Sequence, residues 1–295
     1  MDILITGASG FIGKNILQRL KDKHDVYAPG SKELDLLDQE AVQKLIVNSS
    51  FDLVIHTATW NATANSTKDT DTVLENNLNM FTNLQSCNSY YTRMFSLGSG
   101  AEQNRPNSIP LMKEEFIGTQ IPTDQYGLSK HTINRVISNS SNIVNLRLFG
   151  VYGPYEDWEI RFISNAICKT LQNLDIMIRQ DVCFDYLYID DFLDILELFI
   201  ARKELNFREY NICTGKSISL SSLGKIILEQ MLSSQNIVIA EEGYGLEYSG
   251  NNDRLLDEFR FEFSSHDESG KKLISHYRNT LSQINKNLLL KDKQY

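Results

Sequence analysis

Eight residues, Thr6-Gly7-Ala8-Ser9-Gly10-Phe11-Ile12-Gly13, separate a short apolar run, Ile3-Leu4-Ile5, from apolar residues at helical spacing: Phe11-Ile12, Ile16-Leu17 and Leu20. A strand that ends on a glycine and opens directly into a helix leaves few possible folds. The first glycine permits a tight turn, the second lets backbone approach a pyrophosphate, and the third lets the helix pack closely on the sheet with its N-terminus facing the anion. The spacing is G-x-x-G-x-x-G rather than G-x-G-x-x-G, so the placement of the triplet between strand and helix carries the inference. The turn predicts a dinucleotide site that uses Gly7, Ser9, Gly10, Phe11, Ile12 and Gly13.

The same alternation recurs along the first half of the chain. Strands are expected over 24–28, 52–56, 92–97 and 143–148, with helices over 40–47, 71–90 and 125–138 between them. Strands joined through helices require crossovers, which gives an α/β fold: a doubly wound parallel sheet of Rossmann type that binds ligands beyond the carboxyl ends of its strands. After Gly153-Pro154 the alternation loosens. Helices are expected over 161–172, 190–201 and 220–232 and a strand over 210–213, followed by a polar, Gly-rich passage from Glu241 to Asp253. We therefore expect residues 1–153, completed by about 185–213, to form the NADP-binding domain. Residues 154–184 and 214–295 then form a smaller, discontinuous substrate-binding region.

Composition narrows the partners. A chain of 295 residues with net charge −9 is long enough for a sizeable core. Its acidity, with a pI near 5.1, argues against nucleic acid or an anionic membrane as the main partner. Cys87, Cys168, Cys183 and Cys213 are far apart and form no C-x-x-C, which suggests buried free thiols and no metal site. With no apolar run of membrane-spanning length and a strand-like start, a cytoplasmic address is expected.

The end of the second strand bears on which dinucleotide binds. A carboxylate there would meet a ribose 2′-hydroxyl, whereas a cation or hydroxyl would accept a 2′-phosphate. The stretch Tyr27-Ala28-Pro29-Gly30-Ser31-Lys32 offers no acid before Glu33, so Ser31 and Lys32 favour NADP over NAD.

With TGASGFIG at the start, LVIHTA after the third strand, LGSGAE after the fourth and YGLSK beyond it, the chain resembles the extended short-chain dehydrogenase/reductase family. SKELDLLD at 31–38 is similar to the corresponding stretch of nucleotide-sugar reductases, and FDYLYIDD at 184–191 and YSGNNDRL at 248–255 extend the resemblance to about residue 260. The resemblance implies a catalytic set of Ser99, Tyr126 and Lys130. It adds Asp35, Leu36, Thr57, Ala58 and Lys130 to the cofactor site, and Trp60, Ser99, Gly100, Tyr126 and Arg254 to the substrate site. The chemistry is coherent. Tyr and Lys at i and i+4 share one helical face, where an ammonium stabilises a neighbouring phenolate, and a hydroxyl at a strand end polarises a carbonyl. His56 reads as a satisfied imidazole rather than a proton shuttle, and Asp190-Asp191 as helix capping.

Four departures matter. Dehydratases of the family carry Thr-Asp-Glu where this chain has Ser99-Gly100-Ala101, so water elimination is disfavoured. Phe184 stands where many members have a phosphate-contacting Arg, and Gly150 where many have Asn. Trp60-Asn61 replace small residues, either lining the sugar pocket or plugging the sheet end. The expected activity is NADPH-dependent reduction of a nucleotide-linked 4-keto-6-deoxy sugar for surface-polysaccharide precursors. The alternatives are a nucleotide-sugar 4-epimerase with retained NAD and a non-catalytic NADP-binding regulator. By analogy with the family, a homodimer would pair the 71–90 helix with the Tyr126 helix.

Overall fold

The computed structural model describes residues 1–61, 63 and 65–291. In chain order, its first part comprises β1 (Asp2–Thr6), α1 (Phe11–Leu20), β2 (Asp25–Tyr27), α2 (Gln39–Ser49), β3 (Leu53–His56), α3 (Val73–Gln85), β4 (Arg93–Ser99), α4 (Gln125–Ile137) and β5 (Ile143–Leu148). Then come β6 (Gly150–Tyr152), α5 (Phe162–Leu171), β7 (Ile176–Asp181), β8 (Cys183–Phe184), β9 (Tyr186–Tyr188), α6 (Ile189–Ala201) and β10 (Glu209–Ile212). The remainder is β11 (Ile218–Ser219), α7 (Leu220–Met231), β12 (Ile237–Tyr244), α8 (Asp253–Glu258), α9 (His266–Asn279) and α10 (Lys286–Leu289).

Six strands make one sheet in the order β10-β5-β4-β3-β1-β2, every neighbouring pair parallel. The expected doubly wound α/β architecture is therefore present. Because a strand's side chains alternate faces, the sheet separates two apolar layers. Ile3, Ile5, Leu53, Ile55, Phe95, Val144 and Leu146 point to the layer shared with α1, α5 and α6. Leu4, Val54, Met94 and Ile143 point to the layer of α2, α3 and α4. From β1 the chain first moves to β2 on one side, then crosses to β3 on the other. That reversal opens a crevice beyond the carboxyl ends of β1 and β3.

Three expectations change. The 71–90 helix is shorter, spanning Val73–Gln85 between 3₁₀ turns at Thr70–Thr72 and Asn88–Tyr90. The Ser86 hydroxyl donates to the Asn83 carbonyl at 2.9 Å, a local bond that competes with continued helix. The passage from Glu241 begins inside a strand: β12 pairs in parallel with β7, and its mostly exposed side chains explain its polar composition. Asp190 and Asp191 lie in the first turn of α6 without capping it, since the N-cap residue is Tyr188. Asp191 instead accepts from the Ser264 N–H at 2.9 Å and its hydroxyl at 2.7 Å, and Asp190 pairs with Lys272 at 3.0 Å.

A charge cluster lies inside the sheet's far half. Arg147 in β5 is fully buried; its guanidinium reaches Glu102 at 2.6 Å, Glu209 in β10 at 2.6 Å and the Asn211 side-chain carbonyl at 2.9 Å. Burial opposes that charge, and the two carboxylates more than offset it, raising the guanidinium's pKa above its ordinary value. Arg147→Met removes the cation while leaving Glu102 in a dry site. We expect urea denaturation to show a loss of about 3–5 kcal/mol; an unchanged midpoint would contradict this account.

Candidate active site

Four chain segments converge beyond the strand ends. At the end of β1, Gly7 adopts φ +74°, a conformation that favours glycine, and its carbonyl accepts from the Gly10 N–H at 3.0 Å. A Cβ on Gly7 would lie 2.6 Å from the Ala58 backbone, and one on Gly13 would lie 2.4 Å from the Gly7 carbonyl and 2.7 Å from the Thr57 hydroxyl. Gly10 differs: its nearest such contact is 3.4 Å, and it is exposed beside exposed Ser9. As N-cap of α1, Gly10 has no side chain to accept from the first helical turn, so the N–H groups of this turn face the crevice.

Thr57 and Ala58 form the opposite wall, the Thr57 hydroxyl donating to the Thr6 carbonyl at 2.7 Å. His56 is buried just behind them, with Nδ1 2.8 Å from the Thr6 hydroxyl. Burial and, secondarily, the charge of Lys130 push its pKa down to about 3, so the imidazole is neutral at ordinary pH. Beyond β2, Ser31 and Lys32 are exposed, and the Glu33 carboxylate folds back to accept the Gly30 N–H at 2.8 Å. Asp35 accepts from the Leu37 N–H at 3.0 Å, while Leu36 is buried with its carbonyl bonded to Asn83 at 2.8 Å.

The second turn follows β4. Ser99 is the N-cap of a 3₁₀ turn, Gly100–Glu102, with a reciprocal capping box: the Ser99 oxygen accepts from the Ala101 N–H at 3.2 Å, and Glu102 accepts from the Ser99 N–H at 3.0 Å. Helix α4 starts at N-cap Asp124, which accepts from the Gly127 N–H at 2.8 Å. A Cβ on Gly127 would come within 2.6 Å of the Ala101 carbonyl, so the helix start that carries Tyr126 lies directly on the Ser99 turn. Lys130 is buried on the same helix; its ammonium donates to the Leu97 carbonyl at 2.8 Å and lies 5.9 Å from the centre of the Tyr126 ring. Ser99, Tyr126 and Lys130 are thus brought together at the carboxyl end of β4.

Trp60 follows Ala58 beyond the carboxyl end of β3. Asn77 accepts its backbone N–H at 2.7 Å and donates to its carbonyl at 3.2 Å, the indole N–H reaches the Asp69 carbonyl at 3.3 Å, and Lys68 sits 4.5 Å from the ring centre. Arg254 stands apart. Its guanidinium is 3.8 Å from Glu114, 3.8 Å from Glu115 and 3.5 Å from Glu209, and it packs on Phe207. Three carboxylates already compensate the charge that a diphosphate would otherwise meet. Tyr248, which carries no signal of its own in the sequence, sets its hydroxyl against the turn: a Cβ on Gly100 would lie 2.5 Å from it. Only the YSGNNDRL stretch hints that the 248 segment reaches the site.

A sequence model described as "NAD dependent epimerase/dehydratase family" matches residues 3–213. A GDP-6-deoxy-D-talose 4-dehydrogenase from Aggregatibacter actinomycetemcomitans is 25% identical over 252 residues, covering 80% of this chain and 82% of that protein. Among solved structures, a UDP-glucose 4-epimerase from Thermotoga maritima superposes with a TM-score of 0.81 at 19% identity, covering 95% of this chain and 100% of the other. A GDP-mannoheptose C4 reductase from Campylobacter jejuni with NADP bound gives 0.81 at 17% identity over 94% of this chain and 98% of the other.

The glycine contacts separate two roles. Gly13→Ala drives a methyl into backbone, and denaturation should show a loss of about 1–3 kcal/mol. Gly10→Ala meets nothing closer than 3.4 Å and should leave folding stability within about 0.5 kcal/mol. Equal losses would contradict the assignment of Gly13 to packing and Gly10 to the crevice.

Proposed function

The chain belongs to the NAD dependent epimerase/dehydratase family, and we propose that within it the protein reduces the 4-keto group of a nucleotide-linked 4-keto-6-deoxy sugar with NADPH. The observation that carries this reading is the turn after β4. Ser99 stands beside Tyr126 there, while the turn's one carboxylate, Glu102, is fully buried and engaged by Arg147, Asn145 and the Ser99 N–H. Elimination of water needs an available acid and base on that turn; carbonyl reduction needs hydroxyls and a cation.

The crevice fits a dinucleotide. Gly7, Ser9 and Gly10, with the N–H groups of Phe11 and Ile12 at the uncapped start of α1, would hold the pyrophosphate, and Gly13 keeps the helix close. Asp35, Leu36, Thr57 and Ala58 would line the adenosine and nicotinamide sides, with Lys130 on the nicotinamide ribose. When bound, the nicotinamide supplies the hydride that reaches the keto carbon. The Ser99 hydroxyl donates to the keto oxygen and polarises it, Tyr126 gives its phenolic proton to that oxygen, and the Lys130 ammonium favours the phenolate left behind. Trp60 and Gly100 would border the sugar.

The choice of NADPH rests on the end of β2. Ser31 and Lys32 are free to meet a 2′-phosphate, while Glu33, the nearest carboxylate, is turned back onto Gly30. The Aggregatibacter relative, a 4-dehydrogenase of a GDP-linked 6-deoxy sugar, supports chemistry at the same sugar position. The protein would serve surface-polysaccharide precursor synthesis as a homodimer packed through α3 and α4.

The test is oxidation of NADPH and NADH against GDP-, CDP-, dTDP- and UDP-linked 4-keto-6-deoxy sugars. We expect turnover with NADPH on one of them, and a fall of about 10²–10⁴-fold in Tyr126→Phe. No turnover with any substrate, together with NAD retained on the purified protein, would overturn the reading in favour of a 4-epimerase.

A further inference from the structure

A nucleotide sugar carries a diphosphate, and the cation that meets it has to be one that the fold has not already neutralised. Around the β4 turn most cations are engaged. Arg147 and Arg254 stand between carboxylates, Lys130 donates to the Leu97 carbonyl, and Lys113 pairs with Asp253 at 3.5 Å. Arg105 differs: it is exposed, and among the described residues no carboxylate pairs with it. Its guanidinium lies 5.5 Å from the centre of the Tyr248 ring, whose other neighbours, Phe149 at 5.3 Å and Phe184 at 5.7 Å, carry no charge. The carboxylate of Glu247, next to Tyr248 in the chain, accepts instead from the Ser249 hydroxyl at 2.6 Å.

Local structure fixes where that charge sits. Arg105 opens a 3₁₀ turn, Arg105–Asn107, that Pro106 stiffens. Just beyond it, the Ser108 hydroxyl donates to the Glu247 carbonyl at 2.9 Å, the Leu111 N–H to the Ser249 hydroxyl at 2.7 Å and the Met112 N–H to the Ser249 carbonyl at 3.2 Å. These bonds hold the 105–112 segment along the 247–249 segment and keep the guanidinium beside Tyr248. The phenol spans the remaining distance: its hydroxyl lies 2.5 Å from where a Cβ on Gly100 would stand, so one aromatic ring separates Arg105 from the β4 turn. A pyranose ring spans a similar length from C4 to the anomeric oxygen that carries the diphosphate. We propose that Arg105 binds the diphosphate of the nucleotide sugar while the sugar's C4 lies at Ser99 and Tyr126. A planar guanidinium offers parallel N–H donors to a phosphate, and its uncompensated charge is available here, whereas that of Arg254 is not. The inference rests on the reductase reading for the sugar's reacting end and adds where the nucleotide end is held.

The test has two arms. Calorimetry at saturating NADP measures the affinity for GDP, CDP, dTDP and UDP, and steady-state kinetics uses the sugar found active. For the nucleoside diphosphate bound best, Arg105→Ala should weaken binding about 10–100-fold. Arg105→Lys keeps the charge without the fork and should recover part of that loss. In turnover, Arg105→Ala should raise KM by a similar factor and leave kcat within about twofold, with NADPH affinity, followed by nucleotide fluorescence, unchanged. Lys113→Ala removes a paired, exposed cation from the same segment and should alter diphosphate affinity less than about twofold. Wild-type affinity in Arg105→Ala, an equal loss in Lys113→Ala, or no binding of any nucleoside diphosphate would overturn the inference while the NADPH assay still decides the reductase reading. Binding that depends on Arg105 in a protein inactive on every 4-keto sugar would sink the reductase reading and keep the diphosphate site.

Discussion

The backbone at Gly7 lies against the backbone at Ala58 more closely than any Cβ would allow, and Gly13 lies equally close to Gly7. These approaches set the distance between α1, β1 and β3, and therefore the width of the crevice at the point where the sheet's winding reverses. A wider spacing would let a side chain cap the helix and close it to an anion. Gly10 alone among the three leaves room for a Cβ, and as an N-cap with no side chain it leaves the first N–H groups of α1 available. The helix dipole and those N–H groups would favour an anion there without a cation of their own.

The β4 turn is built on a different principle. There, a full capping box and a buried carboxylate fix Ser99, and the carboxylate is balanced by Arg147, which itself bridges to Glu209 and, through it, to Arg254. Burial would raise Glu209's carboxyl, but Arg147's charge and hydrogen bond hold it below the usual carboxylate range. The stabilisation is therefore complete above the unfolded pKa and lost as pH falls through the folded one. One chain of charges ties Ser99 to the sheet's edge strand, so stability and the geometry of this turn share the same residues.

Local chemistry made much of this legible in sequence. The strand, glycine turn and helix at 3–20, the parallel alternation after them, and the Tyr126–Lys130 pair each depend on residues close together in the chain. What stayed hidden depends on distant partners. The resemblance put Arg254 in the substrate site, and nothing near it in the chain revealed that Glu114, Glu115 and Glu209, distant in sequence, compensate its charge. Tyr248 gave no signal of its own, since only the pairing of its segment with Cys183 and Asp185 carries it to the turn at Gly100. Strand β12 was concealed by its exposure, with charged residues where a buried strand would be apolar. Helix α9 did have a readable start in Ser265 and Glu268, a capping box three residues apart.

The central claim is that the β1 crevice and the β4 turn act together, one holding the hydride donor and the other receiving its acceptor. The most direct test is to run the reaction with NADPH dideuterated at nicotinamide C4 and to locate the label in the sugar product by NMR. The account predicts one deuterium at sugar C4 for each NADPH oxidised. Product carrying protium at C4, or a sugar epimerised without net oxidation of the labelled nucleotide, would contradict it.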